Sequence, residues 1–309
     1  MPPAISSVSG SSTHGGILVI SGSGFGTKSP ATPAVYDDFE NGVVGQRVNG
    51  RSPTYGDVWV DDNTSTNYPL IDDTAPRSPF ASRMCRFDYS SGLNKYGSAI
   101  LQNRTITIGY FSFWYRWQRQ AGFLDYSRNT KPWIIYGSDG ILPLAYIGWG
   151  GPPANDFGVR NSVQDTGGAG PTLWGTTDHR DIEGEWVRLE QHLVQNSGGS
   201  APDGTFQYWT HRPNASTPQI ILEGSAIGNY QTRSSNNIWR QIEFGYYSAH
   251  DVGNPAYYVY EDEIYFDVTQ SRVELGNANT WAGCTRRELQ IPTQWSTTSV
   301  TVTVNRGQF

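Results

Sequence analysis

Thr105-Ile106-Thr107-Ile108-Gly109-Tyr110-Phe111-Ser112-Phe113-Trp114-Tyr115-Arg116-Trp117-Gln118 is the stretch that decides how this chain folds. Neighbouring side chains of an extended strand point to opposite sides. Phe111, Phe113, Tyr115 and Trp117 therefore make one apolar row, and Ser112, Trp114, Arg116 and Gln118 a mixed polar and aromatic one. Sorting with a period of two belongs to a strand with one face in a core, not to a helix. Residues 185–194 sort the same way, Val187, Leu189 and Leu193 against Arg188, Glu190 and His192. Further β-rich runs stand at 16–21, 83–89, 133–136, 145–149, 205–211, 219–222, 240–247, 257–268 and 299–305. Gly, Pro, Asn, Ser and Thr break the remainder too often for a 3.6-residue repeat, so the expectation is an all-β sandwich or jelly roll. The Gly-rich connection from 150 to 184, holding Trp174 and His179, reads as a long functional loop over one face.

Composition narrows the function. The chain has 309 residues, 13% of them aromatic, enough to fill a sizeable core. The formal charge is −6, and of 22 Lys and Arg residues only Lys28, Lys95 and Lys131 are lysine, so no basic footprint for nucleic acid is present. No apolar run reaches the roughly 18 residues of a membrane span, and residues 1–16 lack the basic start and apolar run of a secretion signal. Two cysteines, Cys85 and Cys284, are too few and too far apart for a disulfide framework or a zinc site, and are expected as buried free thiols.

The two ends carry a resemblance. Pro3-Ala4-Ile5-Ser6-Ser7-Val8-Ser9-Gly10 and Gly15-Gly16-Ile17-Leu18-Val19-Ile20-Ser21-Gly22-Ser23-Gly24-Phe25-Gly26 resemble the opening strands of an IPT/TIG immunoglobulin-like domain. Trp295-Ser296-Thr297-Thr298-Ser299-Val300-Thr301-Val302-Thr303-Val304-Asn305-Arg306-Gly307 resembles a late strand of it. The resemblance implies one incomplete Ig-like domain split into 1–33 and 284–309, lacking its final strand and so leaving an open sheet edge. Neither end alone has the strands to bury a core, whereas together they could. Between them, at 34–283, the order of Phe111-Ser112-Phe113-Trp114-Tyr115-Arg116-Trp117, Lys131-Pro132-Trp133-Ile134-Ile135-Tyr136-Gly137, the 185–192 strand, Asp203-Gly204-Thr205-Phe206-Gln207-Tyr208-Trp209 and Glu261–Asp267 resembles the concanavalin A-like jelly roll of polysaccharide lyases and sugar-binding modules.

That resemblance implies a concave sheet on which a polysaccharide lies. Flat rings stack on sugar faces and Arg forks match carboxylates or sulfates, so Trp114, Arg116, Gln118, Tyr136 and His192 are the expected sugar-binding row. A lyase would need Arg116, Tyr136, His192 and Tyr208 to converge, but Tyr208 and His211 stand on opposite faces of their strand. No paired-carboxylate signature of a glycoside hydrolase stands on a strand, because the neighbours Asp262 and Glu263 point apart. A non-catalytic binder is therefore favoured, with no organic cofactor. Asp38 and Glu40 on the first strand of the insert face Asp262 and Asp267 on its last, a candidate structural Ca²⁺ site against the competing reading of a solvated acidic edge.

IPT/TIG and jelly-roll modules joined without a signal peptide resemble structural proteins of tailed phages. The implied role is a virion surface protein, a decoration or tail module acting in assembly or attachment. Its expected partners are polysaccharide and itself or other virion proteins in a repeated array. The alternative is a secreted polysaccharide lyase, or a module at an extracellular or cell surface.

Overall fold

The computed structural model describes residues 2–61, 68–89, 95–96, 99–101, 105–121, 130–137, 144–149, 158–165, 168–198, 201–233, 238–248 and 257–309. Among them the only helical turns are two short 3₁₀ turns, His179–Ile182 and Trp281–Gly283. The strands, in chain order, are β1 (Ala4–Gly10), β2 (Ile17–Ser23), β3 (Val35–Asp37), β4 (Val60–Asp61), β5 (Leu70–Asp72), β6 (Met84–Asp88) and β7 (Lys95–Tyr96). Next come β8 (Ala99–Leu101), β9 (Ile108–Arg119), β10 (Thr130–Tyr136), β11 (Leu144–Trp149), β12 (Gly158–Asp165), β13 (Gly168–Asp178) and β14 (Val187–Val194). The last are β15 (Gly204–Arg212), β16 (Gln219–Tyr230), β17 (Gln241–Ser248), β18 (Tyr257–Asp267), β19 (Val273–Gly276), β20 (Arg287–Trp295) and β21 (Ser299–Thr303).

Two large sheets form the jelly-roll sandwich. Sheet I runs β16-β15-β14-β9-β18-β6-β5, with β3 also on β18, and sheet II runs β13-β12-β11-β10-β17-β8-β4, with β7 on β17. The first and last strands of the sandwich lie side by side, Tyr36 opposite Tyr265. Their inner faces share one core: Phe111 stacks on Trp133 at 4.5 Å and on Phe266 at 4.7 Å, and Phe113 meets Phe244 edge-on. The expected apolar row, Phe111, Phe113, Tyr115 and Trp117, lies in this core with Val187, Leu189 and Leu193. Each such side chain contributes roughly 1.5–3 kcal/mol by leaving water. Gly245 of β17 sits at φ 63°, and a Cβ there would lie 2.2 Å from the Phe87 ring, so only glycine fits.

The chain ends meet, as their amphipathic strands require: β1-β2-β21-β20-β19 is a single five-stranded sheet. Ile20 pairs with Val300 and Leu18 with Val302. β19, from the 34–283 side, joins this sheet, and Leu289 and Ile291 of β20 pack on Tyr36, Tyr110 and Tyr265 of the sandwich. Because β21 lies between β2 and β20, the open edge is not beside the last strand; the edges are β1 and β19.

The 150–184 connection departs from its reading as a loop. Within it β12 and β13 pair as a hairpin that extends sheet II, Asn161 opposite Leu173 and Ser162 opposite Thr172, while 150–157 lie outside the described residues. Val159 and Val163 feed the core, and glycines on both sides hide the two-residue period. His179 is not on a face either: it is buried, stacked on Trp117 at 4.3 Å with Tyr115 Oη 3.1 Å from its Nε2. Burial holds its pKa down to about 3, so it stays neutral. Trp174 is exposed.

Candidate functional site

In an antiparallel pair, residues opposite one another share a face. From Arg188 opposite Trp114 and His211, and Glu190 opposite Ser112 and Trp209, the outer face of sheet I carries His211 and Trp209 of β15, Arg188, Glu190 and His192 of β14, and Tyr110, Ser112 and Trp114 of β9. Arg116 and Gln118 of β9 continue it beside Tyr260 and Tyr258 of β18. The middle of this face is closed. Trp114 is 2% exposed, beneath the Arg77 guanidinium at 4.4 Å and packed with Ala75, Met84, Trp186 and Tyr260. It is therefore a core residue of the cover rather than a sugar platform.

Beside Trp114 the terminal sheet closes the face through charge. Arg188 pairs with Glu190 at 3.0 Å and with Glu274, and donates to the Arg287 carbonyl at 2.9 Å. Arg272 pairs with the other Glu190 oxygen at 2.7 Å and lies 4.4 Å over the Tyr110 ring. His211 Nε2 is 2.7 Å from Glu190. Burial opposes charge on Glu190, but Arg272, the His211 hydrogen bond and Arg188 hold its carboxyl well below the usual range. Burial, helped by Arg188, pushes His211 down to about 4, so it is neutral near pH 7. These groups fasten two sheets together: Arg188, Glu190 and His211 are buried between them, while Arg272 and Glu274 also border open clefts.

The acidic pairs are closed in the same way. A β-bulge at β18, with Glu263 at φ 46° and the register shifting between Asp262 and Tyr265, turns both neighbours to Arg77. Asp262 and Glu263 were expected to point apart, as on a straight strand; the bulge removes that alternation. Arg77 also holds Glu288 at 3.0 Å, Lys28 neutralises Asp267, Arg51 neutralises Asp37, and Glu40 accepts from Ser82 and Arg83. Asp38 Oδ1 accepts the Glu40 amide at 3.2 Å. Lysine and arginine thus supply positive charge to Asp267 and Asp262, Asp38 and Glu40 receive hydrogen-bond donors instead, and no three metal-binding side chains cluster among the described residues. Cys85 and Cys284 are buried and unbonded.

The expected sugar row is scattered. Arg116 and Gln118 stand together at one end of the outer face, 3.2 Å apart. Tyr136 belongs to β10 in sheet II, and Tyr208 points inward, its hydroxyl donating to the Leu173 carbonyl. His192 stands at the opposite end of the outer face. The set Arg116, Tyr136, His192 and Tyr208 therefore does not converge, because it spans two sheets and both faces of one of them.

What remains open lies near His192. A cleft of about 500 Å³ is lined by Gln207 and Trp209 of β15, by Thr269, Gln270, Ser271 and Arg272 between β18 and β19, and by Trp281. Gln207 is opposite His192 in the register. Burial lowers the His192 pKa, a hydrogen bond with Gln207 opposing, and its buried Nδ1 has no hydrogen-bond partner. Trp281 is 55% exposed and rests on Arg287 at 3.4 Å and Arg272 at 5.0 Å. A second cavity of about 520 Å³ shares Gln270, Ser271, Arg272 and Trp281 and continues under the terminal sheet along Ile20, Phe25 and Trp295. Two indole faces beside amide and hydroxyl groups can stack on a sugar ring and hydrogen-bond its hydroxyls. Sequence reasoning had one available signal for this cleft, the alternation of Gln207 and Trp209 about the inward Tyr208; Arg272 and Trp281 arrive from loops with no periodicity.

No protein-family model and no curated protein matches this chain. Among solved structures, the PL-14 alginate lyase of Aplysia kurodai aligns with a TM-score of 0.42 and 14% identity, over 63% of this chain and 86% of that one. Alginate lyase vAL-1 from Chlorella virus gives 0.38 and 12%, over 68% and 92%. The binding domain of botulinum neurotoxin serotype C1 gives 0.44 and 11%, over 77% of this chain and 49% of that one, so this chain spans about half the length of that structure. At these scores the likenesses carry neither activity nor ligand, and the sandwich assignment rests on the sheets described above.

Proposed function

We propose that the chain is a non-catalytic carbohydrate-binding protein whose sugar site is the cleft of Gln207, Trp209, Gln270, Arg272 and Trp281. The observation that carries this reading is the pair of indoles, Trp209 half-buried and Trp281 exposed, on one polar cleft. The separation of Arg116, Tyr136, His192 and Tyr208 supports a binder over a β-eliminating lyase. In the same proposal, 1–33 and 284–309 form a split IPT/TIG-like module around the 34–283 jelly roll. The protein then acts as a repeated unit on a virion surface, in assembly or attachment; the resemblance of its ends and insert to phage structural modules supports this.

A polysaccharide panel tests the binding, and absorbance near 235 nm over uronate polymers tests the chemistry, since β-elimination creates a conjugated double bond. Binding lost in Trp281→Ala with no growth of absorbance is the expected result. Steady growth of absorbance, abolished in His192→Ala, would return the lyase as the better reading.

A further inference from the structure

The two edges of the terminal sheet are unlike. β19 is four residues long, carries Glu274 locked to Arg188 and Arg287, and leads into a 277–286 connection fastened by Asn277 to Thr285 and Arg286. β1 is seven residues long, Ala4-Ile5-Ser6-Ser7-Val8-Ser9-Gly10, and every one of them is exposed, Ile5 at 64% and Val8 at 54%. It pairs on one side only, with β2. Natural sheet edges are shielded by charge, proline or a covering loop. β1 carries no charge or proline, its one irregularity is a register shift between Ile5 and Ser7 that leaves Ser7–Gly10 a regular open edge, and before Lys28 the only ionisable side chain is His14.

We infer that β1 is an interaction edge and that its occupant is the β1 strand of a second copy, added antiparallel about a two-fold axis so that two terminal sheets become one. Three observations select a second copy. An uncharged strand meets no repulsion from itself, whereas a charged partner strand would find no complementary charge. The serines at 6, 7 and 9 and Gly10 leave room for close backbone approach. The dissimilar β19 edge gives β1 no head-to-tail partner, so pairing closes as an isologous dimer instead of growing into a filament. The exposed Ile5 of each copy also borders the cavity lined by Ile20, Phe25 and Trp295, so apolar surface lies beside this edge. This goes beyond the carbohydrate reading and does not depend on it.

The test is the mass of the full chain by sedimentation across a concentration series, together with Ser6→Cys, Ser7→Cys and Val8→Cys under mild oxidation. The expected mass rises from one chain to two, and at least one of the three cysteines cross-links copies. In Ser7→Lys, which sets like charges near the axis, the dimerisation midpoint should move up by about tenfold or more. Below the dimerisation midpoint the thermal midpoint of the fold should stay unchanged, because Ser7 is exposed in the single chain. A mass that stays at one chain at the highest soluble concentration overturns the inference. So does a dimer that Ser7→Lys leaves unaltered or that none of the cysteines cross-links.

Discussion

The outer face of sheet I has a closed middle and an open end, and both are rich in arginine and aromatic rings. In the middle, Arg188, Glu190, His211, Arg272 and Glu274 pair with one another between two sheets, and Trp114 lies under Arg77. At the open end, Trp209 and Trp281 border a cleft with amide and hydroxyl groups. The contrast teaches that residue type does not distinguish a fastening from a binding surface. What distinguishes them is whether a second layer of protein already occupies the position where a ligand would lie.

The largest effect should come from the fastening. Glu190→Ala leaves Arg188 and Arg272 short of a buried partner and is expected to cost about 3–5 kcal/mol in denaturant unfolding. Because Glu190 also holds Arg272 at the cleft, glycan binding should weaken too, and the unfolding measurement isolates the fastening. An effect under about 1 kcal/mol would show that the middle is not closed as described. Arg77→Ala removes the guanidinium shared by Asp262, Glu263 and Glu288 and should cost about 3 kcal/mol.

Acid should loosen the fastening through His211. Its folded pKa, about 4, lies below the 6.5 of an unconstrained imidazole, so the unfolded chain binds the proton first. Stability is therefore complete above pH 6.5 and falls as pH drops from 6.5 toward 4, by about 3 kcal/mol from this residue. Thermal midpoints across that window should fall steeply in the wild type and more gently in His211→Gln. Equal slopes would remove His211 from the account.

The smallest structural effect belongs to the open end. Trp281→Ala should change stability by no more than about 1 kcal/mol while weakening glycan binding about tenfold or more. Arg116→Ala and Gln118→Ala, at the far end of the face, should change neither by more than about 0.5 kcal/mol.

The inner row and most of the strand runs were legible because core positions on β9 and β14 obey a period of two without interruption. β20 was not, because Pro292 argues against a strand; it is tolerated there because β19 pairs only as far as Gln290 and leaves that edge free. The 12-residue β16 read only as 219–222, since Gly224, Ser225 and Gly228 mask the rest. The sugar row failed for another reason. Alternation gives the face of Trp114, Arg116 and His192, but the cover over Trp114 comes from Ala75, Arg77 and Trp186, contacts too distant in sequence to leave a local pattern. Tyr136 failed because nothing local says which of two sheets receives a strand.

The central claim is that sugar is held at the open end and nowhere else on this face. Hydrogen exchange of the full chain with and without the tightest oligosaccharide from the panel tests it directly. The expected result is slowed exchange confined to 205–209 and 269–281. Slowed exchange centred instead on 116–118 and 258–260, or on β10 around Tyr136, would contradict it.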